Sequence, residues 1–397
     1  MPNPLALRGG TPVRQSVLPY GRQDIDDADI AAVVEVLRSD WLTTGPKVGE
    51  FEVAFAAAVG AKEAVAVSNG TAALHAAMFA LGIGAGDEVI VPPMTFAASA
   101  NCVLYQGGTP VFADVLPDSL LIDPDQVAAK ITPRTKAIIA VDYAGQPCHY
   151  AELRALANQH RLPLVADACH AIGGSYHKKP VGTLADLSTF SLHPVKHITT
   201  GEGGVITTDD PEFARQMRIF RNHGITTDHR QRALTGGFFY EMVELGYNYR
   251  ITDFQCALGI SQLRKLAASV ARRQELAALY DEAFSELPYI QPLHTYSDRT
   301  HGYHLYVVRV DTAQLGVSRA DVFAALRAEN IGVNVHYVPV HLHPYYQNHL
   351  GTGVGLCPVA EAAYEQILSL PMFPQMTADD TADVVAAFAK LPALMDA

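Results

Sequence analysis

Short apolar runs alternate with helix-like stretches through the first half of this chain, and that alternation constrains the fold more than any other feature. The runs at 64–67, 88–91, 110–115, 137–142, 162–166, 187–192 and 205–208 are brief and mostly apolar along their whole length. That is the pattern of strands covered on both faces. Helical stretches at 95–105 and 150–160 lie between them. Such order predicts an α/β fold with a mainly parallel sheet and helices on both faces. An irregular arm of about twenty residues and a helix over 26–38 precede the sheet. The pattern turns continuously helical over 252–287, with room for one break. Beyond it, strands at 305–310 and 332–338 and helices at 319–329 and 358–367 read as a smaller α+β unit. A last helix follows the capping sequence Thr377-Ala-Asp-Asp380. The expected division is a large domain with its arm over 1–255, then a connecting helix and small C-terminal domain over 256–397.

Composition narrows the function classes. With 397 residues, 49% of them hydrophobic, the chain can bury two cores. A net charge of −12 without a run of Lys or Arg disfavours nucleic-acid and membrane-surface binding. The N-terminus lacks a signal-peptide core, and no apolar run reaches the roughly 20 residues of a membrane span. Five scattered cysteines, with no C-x-x-C pair, suit a reducing cytoplasm and argue against a disulfide framework or a cysteine-based zinc site. The expectation is a cytoplasmic protein.

Three loops that come after predicted strands carry chemistry. Lys196 lies in Ser191-Leu-His-Pro-Val-Lys196, between a strand and a Gly-rich turn. It is either a solvated lysine or, if partly buried, an amine of lowered pKa able to form a Schiff base with an aldehyde cofactor. Asp167 ends the run 162–166, at the sheet edge where ligands of α/β proteins bind. There it can pair with the pyridinium nitrogen of pyridoxal phosphate, or cap a succeeding helix. His170, three residues on, is either a cofactor contact or a packed histidine. In Ser68-Asn-Gly-Thr71, Gly70 and Thr71 open a helix whose free N–H groups make an anion site. The loop lacks both the Walker A ending and the dinucleotide fingerprint.

Other residues fit around these. Phe96 lies just past a strand end and can stack on a ring or pack in the core; Ser191 can bind phosphate or be a plain strand serine. Asn248 and Arg250 stand before a helix start and offer phosphate donors, from a second subunit if they serve this cofactor; ordinary capping is the alternative. His336, His341 and His343 lie in a stretch broken by prolines, without ligand spacing, so no metal site is expected.

Together these motifs resemble the DegT-type (DegT/DnrJ/StrS) aminotransferases, pyridoxal-phosphate enzymes acting on nucleotide-linked keto-sugars. The resemblance runs from about Leu18 to the end. It rests on Leu42-Thr-Thr-Gly45, Asn69-Gly-Thr-Ala-Ala73, Thr95-Phe-Ala-Ala-Ser-Ala-Asn101, Pro110-Val-Phe-Ala-Asp114, Asp167-Ala-Cys-His-Ala171, Phe190-Ser-Leu-His-Pro-Val-Lys196 and Gly246-Tyr-Asn-Tyr-Arg250. It implies the aspartate-aminotransferase fold (fold type I), with pyridoxal 5′-phosphate held as a Schiff base on Lys196, which also shuttles the proton. It further implies Asp167 at the ring nitrogen, His170 close to the ring, Phe96 stacked on it, and Gly70, Thr71 and Ser191 around the phosphate. Asn248, with Arg250 nearby, would come from the other protomer, which implies a homodimer with active sites at its interface.

Within the family the pattern most resembles the branch serving pseudaminic acid biosynthesis, on Asp142-Tyr-Ala-Gly145, His193-Pro-Val-Lys196 through Gly204, and Gly332-Val-Asn-Val-His-Tyr-Val-Pro339. That implies transfer of an amino group from L-glutamate to C4 of a UDP-linked 4-keto-6-deoxy-N-acetylhexosamine. A C3-specific or other C4-specific keto-sugar aminotransferase would use the same residues. A dehydratase relative carries histidine in place of the lysine, and Lys196 speaks against it. A non-catalytic ligand sensor would need an output module, and no segment or basic patch supplies one.

Overall fold

The computed structural model of the chain describes residues 4–227, 232 and 236–396. Among them, the large sheet has seven strands. Edge to edge they are Glu63–Val67, Gly204–Thr208, Leu187–Ser191, Leu164–Asp167, Thr135–Val141, Glu88–Val91 and Thr109–Phe112. Four neighbouring pairs are parallel, and Gly204–Thr208 is antiparallel to both of its neighbours. Glu63–Val67 therefore points the same way as Leu187–Ser191, and six C-terminal strand ends meet at one edge.

The helix Gly70–Ala80 is buried nearly all round, because its alanines present no bulk on any face. It packs on Leu187–Ser191 and Gly204–Thr208 from one side and on the helices Ala98–Tyr105 and Pro211–Phe220 from the other. That clamp fixes the N-terminus of Gly70–Ala80 against the strand ends. Asn69 caps it by accepting from Ala72 N at 2.8 Å.

A second apolar cluster surrounds a three-stranded sheet, Ile290–Pro292, Tyr306–Val310 and Ile367–Leu370. The N-terminal arm joins it. Leu5 and Leu18 are buried there, and the buried Glu329 carboxylate accepts from Ala6 N and Val13 N, both at 2.8 Å. The long helical region is two helices, Asp253–Leu263 and Leu266–Phe284, separated at Arg264–Lys265.

Three local expectations differ from the structure. The strand expected at 332–338 does not form: only Asn334 bridges to Ser369, and the chain then turns away so that Val340 N bonds Pro93 O. Its place beside Tyr306–Val310 goes to Ile367–Leu370, whose first residue the sequence pattern assigns to a helix end. A short apolar run fits either state until a pairing partner decides. No helix comes after Asp167, which excludes a capping role; a chain of turns does.

Asp253 ties the two halves of the large unit together. Its carboxylate is buried and accepts from Gly45 N at 2.7 Å and Lys47 N at 2.9 Å, closing the start of the helix Pro46–Val59. Asp253→Ala strands both donors and should lower unfolding free energy by about 2 kcal/mol, read from the urea midpoint.

Candidate active site

Four of the predicted loops open onto the shared sheet edge. Asp167 ends its strand with one oxygen accepting from Ser99 Oγ at 2.6 Å and the other from Cys169 N at 3.3 Å. Thr95 Oγ1 lies 2.6 Å from Ser99 Oγ, so the carboxylate is oriented by the turn that begins the Ala98–Tyr105 region. The register aligns Asp167 with Thr189, two residues before Ser191.

Gly70 and Ser191 meet at the neighbouring strand ends. A Cβ added to Gly70 would stand 2.9 Å from Ser191 Cβ. Only glycine admits this approach, and it leaves the helix N-terminus, the Thr71 N–H and the Ser191 hydroxyl around one small space. Donors and dipole there suit a phosphate dianion.

Lys196 lies in the connection between Leu187–Ser191 and Gly204–Thr208, half-buried, its backbone N–H bonded to His193 O at 3.0 Å. Its Nζ is 3.2 Å from His304 Nε2. Burial pulls its pKa down to about 8; Cys169 and Asp167 oppose that, and the buried Arg273 guanidinium assists it. His170 reaches Tyr337 OH with Nε2 at 3.1 Å, and its ring lies 4.4 Å from that of His304. Burial, reinforced by the charge of Lys196, holds both imidazoles neutral, with pKa values well below the ordinary range. Phe96 is 61% exposed, its ring 6.1 Å from Tyr337. An aromatic left open at a strand end, not packed in the core, has a free face to stack.

The structure thus brings Asp167, His170, Lys196, Phe96, Ser191, Gly70 and Thr71 to one edge of the sheet. It does not bring Asn248 and Arg250 into contact with Lys196. Asn248 is exposed and bridges Asn222, while Arg250 donates to Asn222 Oδ1 at 2.9 Å. Arg250 lines a separate cavity of about 460 Å³ with Thr44, Glu52, Arg218 and Arg221. His341 bonds Glu361 at 2.8 Å, and among the described residues no group of three His, Cys, Asp or Glu side chains is placed to hold a metal.

Sequence reasoning does not single out Ser99, Tyr337, His304 or Arg273. Ser99 lies four residues after Thr95, a helical spacing that could pair them. Nothing around His304 marks it, because its partner stands 108 residues away.

The site fits pyridoxal phosphate: an amine of depressed pKa, an oriented carboxylate, an open aromatic face and a phosphate-sized cradle that a Cβ on Gly70 would crowd. Only the free amine of Lys196 is nucleophilic, so its acylation in cofactor-free protein should rise with pH and reach half its limit near pH 8, not near 10.5. Peptide mass spectrometry of samples labelled from about pH 6 to about pH 11, a range that holds both midpoints, checks this.

The model of the DegT/DnrJ/EryC1/StrS aminotransferase family matches residues 23–389. The spore coat polysaccharide biosynthesis protein SpsC of Bacillus subtilis is 43% identical over 376 residues, spanning 94% of this chain and 97% of that protein. Spr1654 from Streptococcus pneumoniae, solved in its PMP form, superposes with a TM-score of 0.89 at 33% identity, covering 95% of this chain and 99% of that one. PseC from Helicobacter pylori, an aminotransferase involved in the biosynthesis of pseudoaminic acid, gives 0.88 at 32% identity, covering 95% and 99%. The chain belongs to the DegT/DnrJ/EryC1/StrS aminotransferase family and is a pyridoxal-phosphate-dependent aminotransferase of fold type I.

Proposed function

We propose that this chain moves the amino group of L-glutamate to C4 of a UDP-linked 4-keto-6-deoxy-N-acetylhexosamine, releasing 2-oxoglutarate and a 4-amino sugar. The observation that carries the transaminase part is the half-buried Lys196 amine beside the carboxylate of Asp167 and the cradle of Gly70 and Ser191. The choice of sugar is supported by the likeness to PseC over nearly the whole of both chains.

Pyridoxal phosphate, when bound, supplies the electron sink. Asp167, held by Ser99 and Cys169 N, provides the negative charge that keeps the ring nitrogen protonated. Gly70, Thr71 and Ser191 anchor the phosphate, and Phe96 covers one face. Nζ of Lys196 takes the proton from Cα of the donor in the first half-reaction. In the second it delivers a proton to the sugar carbon that receives nitrogen. With a pKa near 8, both states of Lys196 are accessible close to neutrality. The same reading divides the chain into a cofactor-holding part over 1–255 and a part from 256 onward that borders the substrate.

The active unit in this proposal is a homodimer. Phe238 (91% exposed), Phe239, Met242, Val243 and Leu245 (75%) form an apolar run that ends beside Asn248 and Arg250. Such a patch favours a protein contact. A partner covering it would put Asn248 and Arg250 at the interface, where they can donate to the phosphate of the opposite site.

Adding L-glutamate to the loaded protein should shift its visible band to the shorter-wavelength pyridoxamine form, and the keto-sugar should restore it with nitrogen at C4 by NMR. Lys196→Ala should abolish turnover; full activity in that variant removes the assignment, and an amine at C3 replaces only the regiochemistry. Mixing Lys196→Ala with Asn248→Ala should restore about a quarter of the sites if Asn248 serves the opposite protomer, since half of randomly paired dimers then hold one intact site. No recovery on mixing removes that role.

A further inference from the structure

His304 is buried between the ring of His170, 4.4 Å away, and Lys196, and among the described residues the side chain it hydrogen-bonds is that of Lys196. Nε2 stands 3.2 Å from Nζ, while Nδ1 is enclosed without a hydrogen-bond partner. His197, close by, has the same pattern with a different partner: its Nε2 donates to Gly302 O at 2.7 Å and its Nδ1 is likewise unpaired, so what sets His304 apart is that its partner is the Lys196 amine.

The backbone around His304 is pinned from two directions. The guanidinium of Arg273, fully buried, donates through Nη1 to the carbonyls of Tyr303 at 3.0 Å, His304 at 3.3 Å and Met372 at 2.8 Å. Among the described residues it has no carboxylate partner. From the other side, Leu305 N bonds Ala144 O at 3.1 Å and Gly302 N bonds Gly145 O at 2.8 Å. Gly145 has φ +113°, and a Cβ there would fall 2.7 Å from Tyr303 N and 3.0 Å from His304 N. A glycine with a left-handed backbone thus lets this segment approach the turn beyond the strand Thr135–Val141, beside the strand that ends in Asp167.

We propose that His304 is a positioning residue for Lys196, accepting one N–H of Nζ and so holding the amine in a single orientation whenever it is not bonded to the cofactor. An ammonium has only donors, so Nε2 must be the acceptor and the ring proton sits on Nδ1. The neutral amine still has an N–H to offer, so the contact survives its deprotonation. The surroundings keep Nε2 free to accept: burial first, then Lys196, His170, His197 and Arg273, all oppose protonation of His304. The groups that face Lys196 from the surrounding elements are Asp167, Cys169, His170, His197, His304, His336 and Arg273. Of these, His304 is the one in hydrogen-bond contact with Nζ. This inference rests on the reading of Lys196 as the reactive amine.

The test compares His304→Gln with His304→Asn in the full chain. The Gln amide extends about as far as Nε2 and can accept from Nζ; the Asn amide ends near the position of Nδ1 and falls short. His304→Asn should slow the single-turnover half-reaction with L-glutamate by about 10- to 100-fold with an unchanged KM for glutamate. His304→Gln should stay close to wild type. In cofactor-free protein, loss of the acceptor disfavours the ammonium form, so the midpoint of Lys196 acylation should fall below the wild-type value of about 8 in His304→Asn and return in His304→Gln. Equal behaviour of the two variants overturns the proposal, whether both are intact or both impaired at equal melting temperature. A change confined to KM does so too. If His304→Asn does not fold, His304→Gln alone decides, because a slowed half-reaction with an altered acylation midpoint contradicts the role. Turnover in Lys196→Ala would fell the underlying reading instead, so the two failures are told apart.

Discussion

The common direction of six strands in one sheet is the constraint on which the site depends. Each of them hands its succeeding segment to the same edge: the helix start at Gly70, the turn that carries Phe96 and Ser99, the turns after Asp167, and the loop of Lys196. The backbone ladder does more than gather them. By pairing Asp167 with Thr189, and Ser191 with Gly204, it sets their offsets along the edge. A slip of one residue would turn every side chain to the opposite face of the sheet. One reversed strand, Gly204–Thr208, lets the chain leave Leu187–Ser191 by a short connection and return beside it, and Lys196 lies in that connection.

The electrostatics of the site arise from burial more than from ion pairing. His170, His197, His301, His304 and His336 are all enclosed, and burial leads the causes that hold each one neutral. Lys196 and Arg273 then supply positive charge in a region whose nearby carboxylate, Asp167, is already engaged by Ser99 and Cys169 N. Arg273 directs its charge at three carbonyl dipoles, which satisfies one nitrogen while leaving the field largely uncancelled. A lysine in such a place sheds its proton more readily than one on the surface, which is the property required of a group that must take up and return a proton near neutrality.

Sequence and structure agree where the local signal and the packing ask for the same thing. The helix Tyr150–His160 and the strand Glu88–Val91 stand where the pattern puts them. They part where partners at long range decide. The run at 332–338 has strand-like residues, yet after Asn334 the chain turns toward His170, which Tyr337 OH meets, and toward Pro93, which accepts from Val340 N. Ile367–Leu370 takes the open edge of Tyr306–Val310, a pairing across some sixty residues that no local pattern encodes. The N-terminal arm reads as irregular, and it is; that Leu5, Leu18 and the bonds to Glu329 fasten it to the far end of the chain was not legible.

By itself the sequence determined the alternation of strands and helices, and hence which loops fall at the strand ends, because apolar period and turn residues are local properties. It also marked Lys196, Asp167 and Gly70 as chemically capable in those loops. Only the tertiary structure decided what surrounds each of them. The approach of Gly70 to Ser191 and the placement of His304 against the Lys196 amine join segments more than a hundred residues apart, and the enclosure that lowers the pKa of Lys196 draws on Asp167, Cys169 and Arg273 from other elements. Solvation and hydrogen bonding act through distance in space, which sequence order does not carry.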